Sequence, residues 1–142
     1  MRIRDKVKKP QRPVVAYEIL PPREKDGTLN SYAETISSLL SQTHIDAINI
    51  PEVHDEIERG DRPVTNQKRG EPREFGMLLQ DIVGIEAIIN RVVVHEPYEE
   101  QMRWIEETNT TYEIENMIIV GGESSKVDYP GPTVNEMLQT IA

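Results

Sequence analysis

Four short runs of mostly β-branched, apolar residues recur along the chain, and this recurrence limits the possible folds more than any other feature. The runs cover residues 14–20, 45–50, 86–95 and 115–120, and residues with helical spacing follow each of them. Repeated strand–helix units produce a parallel sheet, because a parallel pair needs a crossover long enough to hold a helix. Such crossovers are right-handed. The sequence therefore predicts an α/β protein with four parallel strands.

The first two helices are predicted from apolar spacing and from the residues at their ends. Residues 29–40 keep an apolar stripe at helical intervals. Ser31 and Glu34 have the spacing of a capping box at the start of that helix. Residues 74–83 give the second helix, and Gly84 suits its C-cap.

Pro97 suits the first turn of the third helix, and Thr133 with Glu136 gives a capping box for a last helix that is still in progress at Ala142. An open four-stranded sheet can exist alone. An unfinished last helix instead favours the first half of a (β/α)8 barrel, also called a TIM barrel. We therefore expect one partial barrel domain over residues 1–142. Its bare sheet edge would be covered by another copy or another chain, unless the sequence is a truncated product.

Two segments lie outside this pattern. Residues 51–73 carry both signs of charge, three prolines and two glycines. Long loops of this composition are binding loops, lids or disordered connections, and we expect a mobile or partly ordered connection. Residues 1–10 are basic, but no apolar run follows them, so they are predicted to be a short solvated arm and not a signal peptide.

Composition excludes several classes of protein. A chain of 142 residues has the size of one domain. Its formal charge of −9 argues against general nucleic-acid binding, which needs clustered cations. No segment is apolar over the length of a membrane span. Without cysteine there is no disulfide, no thiolate metal site and no cysteine nucleophile. A cytoplasmic location is expected.

Polar residues occur near the carboxyl end of each predicted strand, which is where parallel α/β folds gather their functional groups. They are Glu18, Asn49, Asn90 with Arg91, and Glu123. Glu18 is the most informative. The run around it should be covered on both faces, and an unpaired charge there is costly. Glu18 should therefore have a partner or keep its proton more readily than usual. For each of these residues, a satisfied structural polar group is the alternative.

Glu18 and Glu123 are expected to face each other as a carboxylate pair, in which a dry environment lets one carboxyl act as an acid. A solvated loop residue is the alternative for Glu123. Gly121 and Gly122 permit close approach to a ligand and expose amides that can hold an anion. The histidines lack partners at ligand spacing, so no metal site is expected.

Residues 17–23, Tyr-Glu-Ile-Leu-Pro-Pro-Arg, resemble the signature at the first strand of methylenetetrahydrofolate reductases. Residues 47–50 lie where that family has its second strand. Residues 58–62 resemble its following charged segment, and 120–123 lie at the position of its fourth strand end. The resemblance implies a (β/α)8 barrel about twice as long as this chain.

The resemblance also implies an activity in one-carbon metabolism. These enzymes reduce methylenetetrahydrofolate to methyltetrahydrofolate, taking hydride from NAD(P)H through bound flavin (FAD). Glu18 would match the general acid that opens the folate ring. Glu123 would match an aspartate beside the pterin and flavin. Asn49, Asn90, Gly121, Gly122 and Tyr129 would be the cofactor-binding residues.

The chain departs from the family pattern at several flavin contacts. Pro51 replaces a threonine, Asn90 a histidine and Gly121 an arginine, and Tyr129-Pro130 replaces Tyr-Ala. These departures leave three possibilities: flavin is bound differently, hydride comes directly from the nicotinamide, or a folate-like ligand binds without this reaction. A second hypothesis is a non-catalytic partner subunit of a folate or corrinoid pathway that kept the barrel and lost its flavin site.

Overall fold

The strands lie in one parallel sheet, in the order in which they occur along the chain. The computed structural model describes residues 2–52, 68–122 and 125–141. The strands are β1 (Ala16–Glu18), β2 (Ala47–Ile50), β3 (Ala87–Val92) and β4 (Asn116–Val120). Each strand pairs in parallel with the next one. The predicted α/β fold, with four parallel strands alternating with helices, is confirmed.

In the described part of the chain, one helix precedes the sheet, three connect its strands and one follows the last strand. They are α1 (Ile3–Lys8), α2 (Leu29–Leu40), α3 (Pro72–Val83), α4 (Tyr98–Thr110) and α5 (Val134–Ile141). A single turn of 3-10 helix covers Glu24–Asp26. Within the described ranges, no helix combines the length and the apolar character that a membrane crossing requires.

Local sequence signals account for the ends of α3 and α5. The Glu71 carboxylate accepts a hydrogen bond from the Glu74 amide at 2.8 Å and caps α3. Gly84 ends α3 in the left-handed conformation, with φ 72°, as predicted. Thr133 caps α5 by accepting a hydrogen bond from the Glu136 amide at 3.2 Å, which is one of the two bonds of the capping box predicted there.

The capping box predicted for α2 is wrong by three residues. Thr28, not Ser31, precedes the helix, and its hydroxyl accepts a hydrogen bond from the Ser31 amide at 3.2 Å. Ser31 lies inside the first turn. Both residue types suit an N-cap, so the spacing to Glu34 did not distinguish them.

Helices α2 to α5 pack on one face of the sheet, which we call the helix face. Ile48 and Ile50 of β2 and Ile89 of β3 are fully buried there. A Cβ added to Gly76 of α3 would lie 3.0–3.2 Å from side-chain atoms of Ile50, Ile89 and Ile114. This close contact between α3 and the sheet places the main core between the helices and the helix face.

The opposite face, which we call the open face, has no helix from these crossovers. It consists of alternate strand residues: Ala16, Glu18, Ala47, Asn49, Ile88, Asn90, Val92, Asn116, Ile118 and Val120. Because the strands follow sequence order and crossovers are right-handed, every connecting helix falls on the same side. Ile118 is 44% exposed as a result.

The expectation that the first strand is covered on both faces is wrong. Strand β1 spans only Ala16–Glu18, lies at the edge of the described sheet, and has all three residues exposed. Burial resumes at Ile19 and continues through Pro21 and Pro22. An apolar run does not reveal whether its strand is central or at an edge.

The basic N-terminal segment is a docked element, contrary to the predicted solvated arm. Ile3 of α1 is buried, and its amide donates to the Glu86 carboxylate at 2.5 Å. Arg2 pairs with Glu115. These contacts fix α1 at the amino ends of β3 and β4.

The predicted charged loop at 51–73 is described only at its ends, since residues 53–67 lie outside the described part of the chain. Arg69 forms an isolated antiparallel bridge with Arg23, and the Gly70 amide donates to the Pro22 carbonyl at 2.9 Å. The end of this segment is therefore attached to the connection between β1 and α2.

Candidate functional site

Glu18 and Asn49 meet at the carboxyl ends of β1 and β2. They are register partners, so both side chains project from the open face. The Asn49 amide nitrogen donates to a Glu18 carboxylate oxygen at 3.2 Å. Glu18 is exposed, so the prediction that its charge is buried is wrong. The structure does give Glu18 a hydrogen-bond partner, which was one of the two expectations for this residue.

Asn90 of β3 extends this polar group across the open face. It lies two residues beyond Ile88, the register partner of Asn49. Among the described residues, the Oδ1 atoms of Asn49 and Asn90 are buried and accept no hydrogen bond. An unpaired buried acceptor is costly. These two oxygens mark the part of the open face where hydrogen-bonding capacity is unused.

The residues after β4 form a separate cluster. A Cβ added to Gly122 would lie 2.2–2.8 Å from ring atoms and the hydroxyl of Tyr129. The Tyr129 ring in turn lies edge-on to His95, with 5.6 Å between ring centroids. Gly122 therefore accommodates the chain's own Tyr129. Glycine is needed here for that contact.

The remaining predicted site residues lie elsewhere or outside the described part. Glu123, predicted to face Glu18, lies outside the described residues. Gly121 lies beside α5, and a Cβ there would be 3.3 Å from a methyl group of Val134. The structure thus brings Glu18, Asn49 and Asn90 together on the open face, whereas Gly122 and Tyr129 form a second group.

Arg91 lies on the helix face, away from Asn90. Its guanidinium donates to the Glu52 carboxylate at 2.6 Å and to the Gln101 side chain at 2.9 Å, and it lies 4.4 Å from the Trp104 ring centroid. All these partners are partly or fully buried. Arg91 therefore joins the end of β2 to α4 and does not belong to the open-face site.

A similar arginine connects α3 with α4. Burial of Arg73 works against its charge, but hydrogen bonds to Glu71 and Glu107 outweigh this effect and raise its pKa above the usual value. Its guanidinium lies 4.6 Å from the Trp104 ring centroid and 4.7 Å from that of Tyr112. Burial also raises the pKa of the Tyr112 phenol. These contacts hold the helices together.

Sequence reasoning missed a charged cluster at the amino ends of the strands. The Asp46 carboxylate, just before β2, accepts two hydrogen bonds from Arg12 at 2.8 and 3.0 Å, one from the Val15 amide at 2.9 Å, and pairs with Lys6 at 3.0 Å. The Arg12 hydrogen bonds, followed by those from Val15 and Lys6, hold the pKa of Asp46 well below its usual range. A carboxylate at the start of a buried strand was the available sequence signal.

Asp46→Asn should reduce the free energy of unfolding at neutral pH. As the pH falls, the variant should lose less of this free energy than the wild type does. A depressed folded-state pKa means that the carboxylate stabilises the fold above its unfolded pKa of about 3.9, and that this contribution disappears as pH falls toward the folded value. Urea unfolding between pH 7 and pH 2 measures this. Asp81→Asn, on an exposed side chain of α3, is the control. An acid decline in Asp46→Asn equal to that of the wild type would contradict the assignment.

No group of three metal-ligating side chains that could hold an ion occurs in the described ranges.

Compared with known proteins, the sequence matches no family model and is not significantly similar to any curated protein.

Proposed function

We propose that the chain forms the first four units of a (β/α)8 barrel and acts in a methylenetetrahydrofolate reductase-like reaction with Glu18 as the general acid. The observation that carries the proposal is the Glu18–Asn49 contact at the carboxyl ends of β1 and β2, on the face opposite the helices. Residues 17–23 supply the resemblance to the family.

The barrel part of the proposal is supported by the strand order. In a barrel of this kind, parallel strands follow one another and all helices lie outside, so the face opposite the helices becomes the interior. Strand β1 and strand β4 each leave one edge without a partner among the described strands. Four further units, from the same chain or from another copy, would pair with both edges and cover the open face.

Closure would also change the environment of Glu18. Closure would keep bulk water away from the position where a general acid transfers its proton to the substrate. In the proposed reaction, Glu18 gives its proton to a ring nitrogen of the folate, whose carbon–nitrogen bond breaks to leave an iminium. The Asn49 amide then stabilises the carboxylate that Glu18 becomes.

The departures at Pro51, Asn90 and Gly121 fall where the family contacts flavin. Tyr129 also fills the space over Gly122. We therefore assign no step to FAD. A nicotinamide nucleotide, as co-substrate, would deliver hydride directly to the methylene carbon and complete the methyl group. The folate pterin is the proposed substrate.

Glu18→Gln should lower turnover of methylenetetrahydrofolate by at least about a hundredfold, because glutamine keeps the shape and loses the proton. The assay follows oxidation of NADH and NADPH by the natural protein at its full length. Glu34→Gln, an exposed change on α2, is the matched control and should leave turnover unchanged. Full activity in Glu18→Gln would overturn the assignment.

An absorption spectrum and a pterin titration separate this proposal from the non-catalytic alternative. We expect a protein that lacks flavin absorption and binds the pterin. A protein that ignores both folate and nicotinamide would contradict the reductase proposal and favour a non-catalytic partner subunit.

A further inference from the structure

The first twelve residues concentrate positive charge in an acidic chain. They contain six lysines and arginines and one acidic residue, Asp5, whereas the whole chain has a formal charge of −9. The contacts of α1 with Glu86 and Glu115 hold this segment against the amino ends of the strands. The positive charge is therefore fixed at one end of the sheet, opposite the end that carries Glu18.

A cavity of about 360 Å³ lies within this positive region. Three cations, Lys6, Lys9 and Arg12, line it together with one carboxylate, Asp46, and its apolar lining includes Pro10 and Val14. The volume is within the range of small-molecule sites, about 300–1,000 Å³. The lining thus combines a net positive charge with apolar contact surface.

The single carboxylate in the lining is already occupied. One Asp46 oxygen accepts from both Lys6 and Arg12, and the other accepts from Arg12 and the Val15 amide. Lys9 is exposed and makes no ion pair within residues 2–52, 68–122 and 125–141. One ammonium group at the cavity is therefore available for an anionic ligand.

We propose that this cavity binds a small phosphate monoester. Three cations against one carboxylate leave a net charge of +2, and a phosphate monoester carries about −1.5 to −2 at neutral pH. The phosphate would contact Lys9, with Lys6 and Arg12 adding charge from the same wall. The organic part would lie against Pro10 and Val14. This site is independent of the reductase proposal.

Titration of the full-length protein with phenyl phosphate and with inorganic phosphate tests this site. Calorimetry should give saturable one-to-one binding, tighter for phenyl phosphate because of its apolar ring. Backbone amide shifts in NMR spectra should be confined to residues around 6–15 and 46. Lys9→Ala should weaken binding about tenfold or more, as expected for one charge-assisted contact.

Lys8→Ala is the matched control, because Lys8 belongs to α1 and carries the same charge but does not line the cavity. It should leave the affinity unchanged. Equal weakening by both substitutions would reveal diffuse attraction to the basic segment and overturn the proposal, as would the absence of saturable binding. Lys9→Ala should unfold at the same urea concentration as the wild type, so lost binding reports on the site and not on folding.

Discussion

Phe75→Ala is expected to lower the free energy of unfolding by about 3–5 kcal/mol, the cost of truncating a fully buried aromatic side chain. Phe75 of α3 has no exposed surface and belongs to the main core. Its ring lies 5.8 Å from that of Tyr32, so it also contributes to the contact between α2 and α3. The substitution removes apolar burial and leaves a cavity that fully packed neighbours fill only in part.

Urea unfolding followed by circular dichroism measures this loss as a shift of the transition to lower urea concentration. Leu39→Ala is the control, because Leu39 lies on the neighbouring helix α2 with 58% of its surface exposed. Its effect should stay within about 0.5 kcal/mol. A similar loss in both variants would show that the core does not lie between α2, α3 and the sheet.

Gly131→Ala should destabilise the fold by about 3 kcal/mol, because the added methyl group meets main-chain atoms. A Cβ at Gly131 would lie 2.4 Å from the carbonyl oxygens of Val93 and Glu96. The Gly131 amide also donates to the Val94 carbonyl at 2.8 Å, and this bond would lengthen as the segment moves away. Main-chain atoms after β3 have little freedom to yield.

Gly121→Ala is the matched control for this prediction. Among the described atoms, its added Cβ meets a methyl group of Val134 at 3.3 Å, and that side chain is only partly buried. The loss should be below about 1 kcal/mol. Equal urea midpoints for the two variants would contradict the close approach of Gly131 to the end of β3.

The fold was predictable where the chain carries local signals. The four apolar runs gave four parallel strands, and Gly84 and Thr133 marked helix ends that the structure contains. The exposure of β1 was not predictable, because Tyr17 and Ile19 suit an edge strand as well as a central one. Docking of α1 depends on Glu86 and Glu115, which are distant in sequence.

Part of the candidate site was predictable from the general position of functional groups in parallel sheets. That rule gave Glu18, Asn49 and Asn90, which share the open face. It also suggested Arg91, but side chains alternate along a strand, and Arg91 therefore lies on the helix face. The Asp46 cluster was missed because its partners Lys6 and Arg12 are distant from it in sequence and the basic N-terminal segment was expected to be solvated.

The sequential strand order has a consequence for how the chain folds during synthesis. Each described strand pairs only with strands of adjacent units, so every step of sheet growth closes a chain segment of similar, moderate length. A sheet of this kind can grow in the direction in which the ribosome releases the chain, one strand–helix unit after another. The exposed edge of the newest strand is then the template on which the next strand forms.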